Sequence, residues 1–168
     1  MYRKVVRKQP NSKTCLVCGM KNPYGLKGAF YELDNGELLC CFTSLEEHQS
    51  YPGRLHGGVA AAILDETIGR AIMMSTDGEV WGVTVEFRIQ YRHPIPLGGP
   101  LRVIGRITKL GGRVFEGTGE ILLEDGSVAA EGWGRYLKMP LERIAEFDRE
   151  EQEWAVVPHP EDSPGFEL

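Results

Sequence analysis

The sequence predicts an α+β fold in which one long buried helix is wrapped by a curved antiparallel sheet. Three observations predict it. A segment from about Gly57 to Met74 is apolar on nearly every face of its first half, which marks a helix enclosed by other elements. No second segment matches it, so strands must supply the enclosure. From Val83 onward, runs of period two follow one another across short glycine turns, and strands so close in sequence pair antiparallel.

Each element has its own signal. Residues 1–28 form a basic, turn-rich N-terminal arm of little periodicity, holding Cys15-Leu-Val-Cys18-Gly19 and Asn22-Pro-Tyr-Gly25-Leu26. Strands Ala29–Leu33 and Glu37–Thr43 join through Asp34-Asn35-Gly36, a hairpin signal. Ser50 to Arg54 is a loop, and the helix follows. Val83, Val85, Phe87, Ile89 and Tyr91 then alternate with Thr84, Glu86, Arg88, Gln90 and Arg92, until His93-Pro94-Ile95-Pro96 ends the strand because proline cannot donate to a ladder. Leu101–Leu110, Arg113–Leu123 and Ser127–Met139 complete a meander, so the main domain is expected over residues 29–139. Residues 140–168 are expected to be a helical tail, with Leu141, Ile144 and Phe147 at helical spacing before a proline-rich, loosely held end.

Length and composition set outer limits. A chain of 168 residues suits one domain, and 42% apolar with 26% charged residues excludes disorder throughout, a coiled coil and a collagen-like fibre. With 19 Lys and Arg against 24 Asp and Glu, the net charge of -5 argues against nucleic acid or an anionic membrane as partner. The most apolar stretch, Val59 to Leu64, falls far short of the roughly 20 residues of a membrane span. The N-terminus has charge without an apolar stretch behind it, so a cytoplasmic protein with four reduced cysteines is expected.

The strongest chemical feature is His56-Gly57-Gly58 at the helix entrance with Asp65 inside the helix. The first amides of a helix lack partners, side chains are absent at both glycines, and the helix dipole adds partial positive charge. Such a place suits a carbonyl oxygen that gains negative charge during reaction. The glycines alone are better explained as a tight turn. Asp65 shifts the balance, because Ala61, Ala62, Ile68 and Gly69 surround it one turn away and none is a charge partner. A carboxylate on an apolar face is costly, and burial raises its pKa toward that of a general base. The bland alternative is an Asp that bonds structural backbone. Glu66, by contrast, has Arg70 four residues on and is expected to form a solvated surface pair. Gly57 and Asp65 are eight residues apart, roughly 12 Å along a helix, so they act on one carbonyl only if a two-fold partner supplies one of them.

The run from His56 through Asp65 to Gly69 resembles the His-Gly-Gly-(x)6-Asp-(x)3-Gly signature of PaaI-like hotdog-fold acyl-CoA thioesterases. Val83 to Pro94 resembles the strand that follows there, and Cys15 to Leu26 resembles an N-terminal element of one branch. The resemblance, covering about Cys15 to Lys138, implies a hotdog fold, a homodimer or dimer of dimers, no cofactor, and hydrolysis of a small or medium acyl-CoA. It implies Asp65 as nucleophile or base, the Gly57 amide of the partner as carbonyl polariser, His56 as orienter of the loop or thioester, and Thr84 near the attacking water. Gly58 lies beside that amide, among the substrate-binding candidates. Related enzymes often carry Asn or Gln six residues before the histidine; here that position is Ser50, with Gln49 beside it. Arg88, Arg92, His93 and Arg113 are candidates for the CoA phosphates, although each singly reads more simply as a solvated strand residue. Cys15 and Cys18 have zinc-knuckle spacing without a second pair, so packing is the default and no metal is assigned. Two other readings are a non-catalytic acyl-CoA-binding or regulatory module and, from the faint echo in Tyr91-Arg92-His93-Pro94, a dehydratase. Asp65 on the helix favours hydrolysis over the latter.

Overall fold

A computed structural model describes residues 1–168. Gly36, at φ 79°, turns the chain between β2 (Ala29–Leu33) and β3 (Leu38–Thr43), as the Asn-Gly pair predicts. They are preceded by β1 (Tyr2–Lys8). Helix α1 (Gly57–Arg70) and the short α2 (Met73–Thr76) follow, then β4 (Val80–Tyr91), β5 (Pro100–Leu110), β6 (Val114–Leu122), β7 (Val128–Pro140) and β8 (Gly165–Glu167). All strands form one antiparallel sheet in the order β4-β7-β6-β5-β3-β2-β1-β8. The expected α+β architecture, one long helix against a wrapping antiparallel sheet, is the observed one. No helix is long and apolar enough to cross a membrane.

The helix can lie close because the sheet beneath it lacks side chains where they touch. Gly105 pairs with Gly119, and Gly119 with Gly132, so one row of glycines crosses β5, β6 and β7. A Cβ on Gly105 would come 2.9 Å from the Thr67 carbonyl oxygen of α1, and one on Gly119 3.0 Å from Ile68. Ile68, fully buried, rests on this floor. Ala60, Ile63 and Leu64 join Phe30, Leu38, Phe42, Val103 and Ile121 in the larger core.

Four expectations differ from the structure, each for a physical reason. The predicted helix over 57–74 pauses after Arg70 at Ala71 and Ile72, resumes as α2, and is stopped by Asp77 in the left-handed conformation. The arm is not irregular at its start. Its first residues form β1, whose alternating burial is masked in the sequence by charged residues such as Arg7, which reaches Glu32 at 2.9 Å. The tail is not helical: only a single 3-10 turn, Leu141–Arg143, forms, and Phe147 and Trp154 turn instead onto Trp81, with centroids 6.0 and 4.7 Å away. Nor is its end loosely held, because β8 pairs with β1 and Phe166 packs on Tyr31 at 5.0 Å. That packing covers the far face of β2, which explains why all five of its residues are buried.

A side chain on the glycine floor must lift the helix. Gly105→Val is expected to lower the unfolding free energy by about 1–3 kcal/mol, seen as an earlier urea midpoint at unchanged slope.

Candidate active site

Asp65 sits on the face of α1 that looks onto β4 and β7. The Thr84 hydroxyl donates to its two carboxylate oxygens at 3.0 and 3.1 Å, and the Tyr136 hydroxyl donates to Oδ1 at 3.0 Å. Thr84 and Tyr136 are cross-strand partners, so one rung of the sheet supplies both donors. Immediately after that rung the register shifts and Val85 bulges out, 57% exposed. The strict alternation expected for this strand therefore breaks beside the carboxylate. Tyr136 is held by stacking on Phe115, centroids 5.0 Å apart, and by the absence of a Cβ on Gly69, which would lie 3.2 Å from its ring.

No cation pairs with Asp65, which is half-buried. Burial pushes its carboxyl above the usual Asp range, while the hydrogen bonds from Tyr136 and Thr84 pull it back and the Glu66 charge adds to the rise. The Tyr136 hydroxyl is pushed up by burial and the adjacent carboxylate, so it stays protonated and keeps donating. Asp65 and Thr84 open onto a cavity of about 440 Å³ whose other walls include Trp81, Phe147 and Trp154. A basic carboxylate without a counter-cation, facing open space, can take a proton from water or attack an electrophilic carbon.

The helix entrance lies in a different cavity, of about 490 Å³, lined by Ser50, Arg54, Gly57, Tyr91, Arg92 and His93 among others. His56 is the N-cap residue, and its Nδ1 accepts the Gly58 amide at 2.9 Å. Its carbonyl accepts from Val59 and Ala60, and its own amide donates to the carbonyl of buried His48 at 2.8 Å. The Gly57 amide has no partner within the chain. Its carbonyl accepts from the Tyr91 hydroxyl at 2.6 Å, which fixes the first turn against β4.

The predicted site residues thus fall in two groups. Asp65 and Thr84 share the first cavity; Gly57, Ser50, Arg92 and His93 share the second. Gln49 and Gly58 are engaged in local turns, Gln49 accepting the Gly53 amide at 2.9 Å through its side chain. Arg88 turns away to Glu86 and stacks 5.0 Å over Trp133, and Arg113 belongs to neither cavity. Arg92 is neutralised by Glu131 at 2.6 Å. The Glu66–Arg70 pair forms at 2.8 Å, but not in solvent as expected: Arg70 is only 7% exposed, lodged between Phe30 and Trp154. Tyr136, Tyr91 and Arg54 escaped the sequence reading. The inward period of β7, with Gly134 and Tyr136 both buried, is the signal that could have found Tyr136.

One helix wrapped by an antiparallel sheet, with an acid midway along it and bare glycine amides at its start, defines a hotdog protein. Residues 52–130, a little under half of the chain, match the family model of the thioesterase superfamily. Human acyl-coenzyme A thioesterase 13 is 32% identical over 76 residues, 45% of this chain and 54% of its own. The chain spans about half the length of the curated relatives it matches. A crystallised thioesterase superfamily protein superposes with a TM-score of 0.66 at 29% identity, over 73% of this chain and 59% of its own. The E. coli PaaI protein from the phenylacetic acid degradation operon shares the fold, with a TM-score of 0.60 at 17% identity, over 68% of this chain and 80% of its own.

Tyr136→Phe removes a donor that favours the charged carboxylate, so the Asp65 carboxyl is expected to titrate at higher pH than in the parent, read by carbon-detected NMR titration. The folded state holds this proton more tightly than the unfolded chain, so the group contributes stability on the acid side that is lost as pH rises through its folded-state value.

Proposed function

We propose that this protein hydrolyses an acyl-CoA thioester with Asp65 as its reacting carboxylate. The observation that carries the reading is the Asp65 side chain itself, unpaired with any cation, aimed by Thr84 and Tyr136 and open to a cavity. The relatives named as acyl-coenzyme A thioesterases support the substrate class.

Asp65 acts as base or as nucleophile. As base it takes a proton from water, whose oxygen attacks the thioester carbonyl carbon. As nucleophile it forms an anhydride that water then opens. In either case the carbonyl oxygen becomes negative, the carbon–sulfur bond breaks, and the thiolate leaves and takes up a proton. Thr84 and Tyr136 orient Asp65 in both. His56, its Nδ1 committed to the cap, serves by holding the entrance rather than as a base.

The amide that meets the oxyanion is the unpartnered one of Gly57. It cannot come from the same chain, since eight residues of helix, roughly 12 Å, separate it from Asp65 and each lies in its own cavity. A homodimer, alone or paired into a dimer of dimers, supplies it. β4 supports this: it is a 12-residue strand at the sheet edge, with Val85 57% and Tyr91 51% exposed, and long bare edges are normally covered. The CoA phosphates would lie by the entrance, where the Arg54 guanidinium lines the same cavity as His93 and the Glu131-paired Arg92.

In a thiol-release assay over a panel of acyl-CoA thioesters, the parent protein is expected to turn over at least one. Asp65→Asn should lower kcat/KM at least about 100-fold with the fold intact by circular dichroism. Thermal shift with acyl-CoA but no turnover on the panel would instead make it a binding module. Mixing tests the shared site. Asp65→Asn and Gly57→Val chains, each inactive alone, should on co-refolding recover about a quarter of parental activity, because half the dimers then hold one intact site. No recovery would place both groups in one chain's site.

A further inference from the structure

The arm carries a second cluster that hydrolysis does not use. The donor atoms of Cys15, Cys18 and Glu66 all lie within 4.8 Å of one another. Cys15 Sγ reaches Glu66 Oε2 at 3.3 Å, and the Val17 amide donates to Cys15 Sγ at 3.3 Å. The Val17 amide thus holds the Cys15 sulfur, and the Cys18 sulfur lies 3.2 Å from the Ser12 hydroxyl. The loop is built in advance. Gly19 donates to the Cys15 carbonyl at 2.9 Å, in a turn where a Cβ would run into that same oxygen. The Cys18 carbonyl is pinned by the Ser12 amide at 3.3 Å and by the Asn11 side chain, itself buried, at 2.9 Å.

Charge completes the case. Two thiolates and the Glu66 carboxylate carry three negative charges, and the buried Arg70 guanidinium, 2.8 Å from Glu66, offsets one. The remainder matches a divalent cation. A tetrahedral ion holds two sulfurs and an oxygen about 3.5–3.8 Å apart, within reach of this cluster, and sulfur donors select zinc over magnesium or calcium. All three residues also line the cavity onto which Asp65 opens.

We infer that Cys15, Cys18 and Glu66 form a site for a zinc-class divalent cation, with its fourth coordination position open to the cavity of Asp65. Binding displaces the two thiol protons to solvent. The site joins the N-terminal loop to the middle of α1, and it stands whether or not Asp65 hydrolyses a thioester.

Full-length protein, stripped with a chelator under reducing conditions, is titrated with cobalt(II). The expected result is sulfur-to-cobalt charge-transfer absorption that saturates at one equivalent per chain and is abolished by zinc(II). Zinc should also shield two thiols of the unaltered protein from a thiol-reactive disulfide reagent, Cys40 and Cys41 being buried in any case. Cys15→Ser and Cys18→Ser should each lose the absorption while their metal-free melting matches that of the metal-free parent. Glu66→Gln should weaken cobalt binding at least about tenfold. The inference is overturned by absence of the absorption in the parent, by its survival in either serine variant, or by thiols that stay reactive in zinc. Quantitative closure of a Cys15–Cys18 disulfide in air, with no cobalt bound by the reduced form, would overturn it as well.

Discussion

The close approach of α1 to the sheet is the constraint on which the rest depends. Gly105, Gly119 and Gly132 remove every side chain from the strip on which Thr67 and Ile68 rest. Only at that spacing does Asp65, two residues before Thr67, come within hydrogen-bond reach of a threonine and a tyrosine on neighbouring strands. The same spacing leaves room for Tyr136 under Gly69. A helix held further out would leave the carboxylate in water, with an ordinary affinity for its proton. The packing of small residues thus sets the chemistry of a group that none of them touches.

Much of this was legible in the sequence. The helix is apolar all round and so must be enclosed, and Asn35-Gly36 marks its hairpin. Asp65 stands out because nothing one turn away can neutralise it, and the structure indeed gives it hydroxyls instead of a cation. Resemblance alone set Thr84 near an attacking water; in the structure its hydroxyl donates to Asp65.

What escaped has common causes. β1 alternates in burial but not in hydropathy, because its inward-leaning members include Arg3 and Arg7, whose stems are partly covered, and Arg7 also finds a charge partner in Glu32. Leu141, Ile144 and Phe147 have helical spacing, yet the packing of Phe147 edge-on to two tryptophans outweighs a local preference that so short a segment hardly expresses. The bulge at Val85 leaves no mark in an otherwise regular alternation. The depth of Arg70 is a tertiary fact: an i, i+4 pair looks the same in water and under a tryptophan. The cationic candidates show the converse, since a strand arginine meets its counter-charge across the sheet, as Arg92 meets Glu131, at a distance of 39 residues in sequence.

Two of the three aromatic rings that wall the first cavity come from outside the segment that matches the superfamily model. Trp81 lies on β4, but Phe147 and Trp154 come from the tail, and Arg70 bridges that tail to the helix. The Asp65 carboxylate and the wall that faces it are therefore separately replaceable. A chain that kept its helix and sheet while exchanging its extremities would reshape the mouth of the cavity and leave the surroundings of the carboxylate as they are.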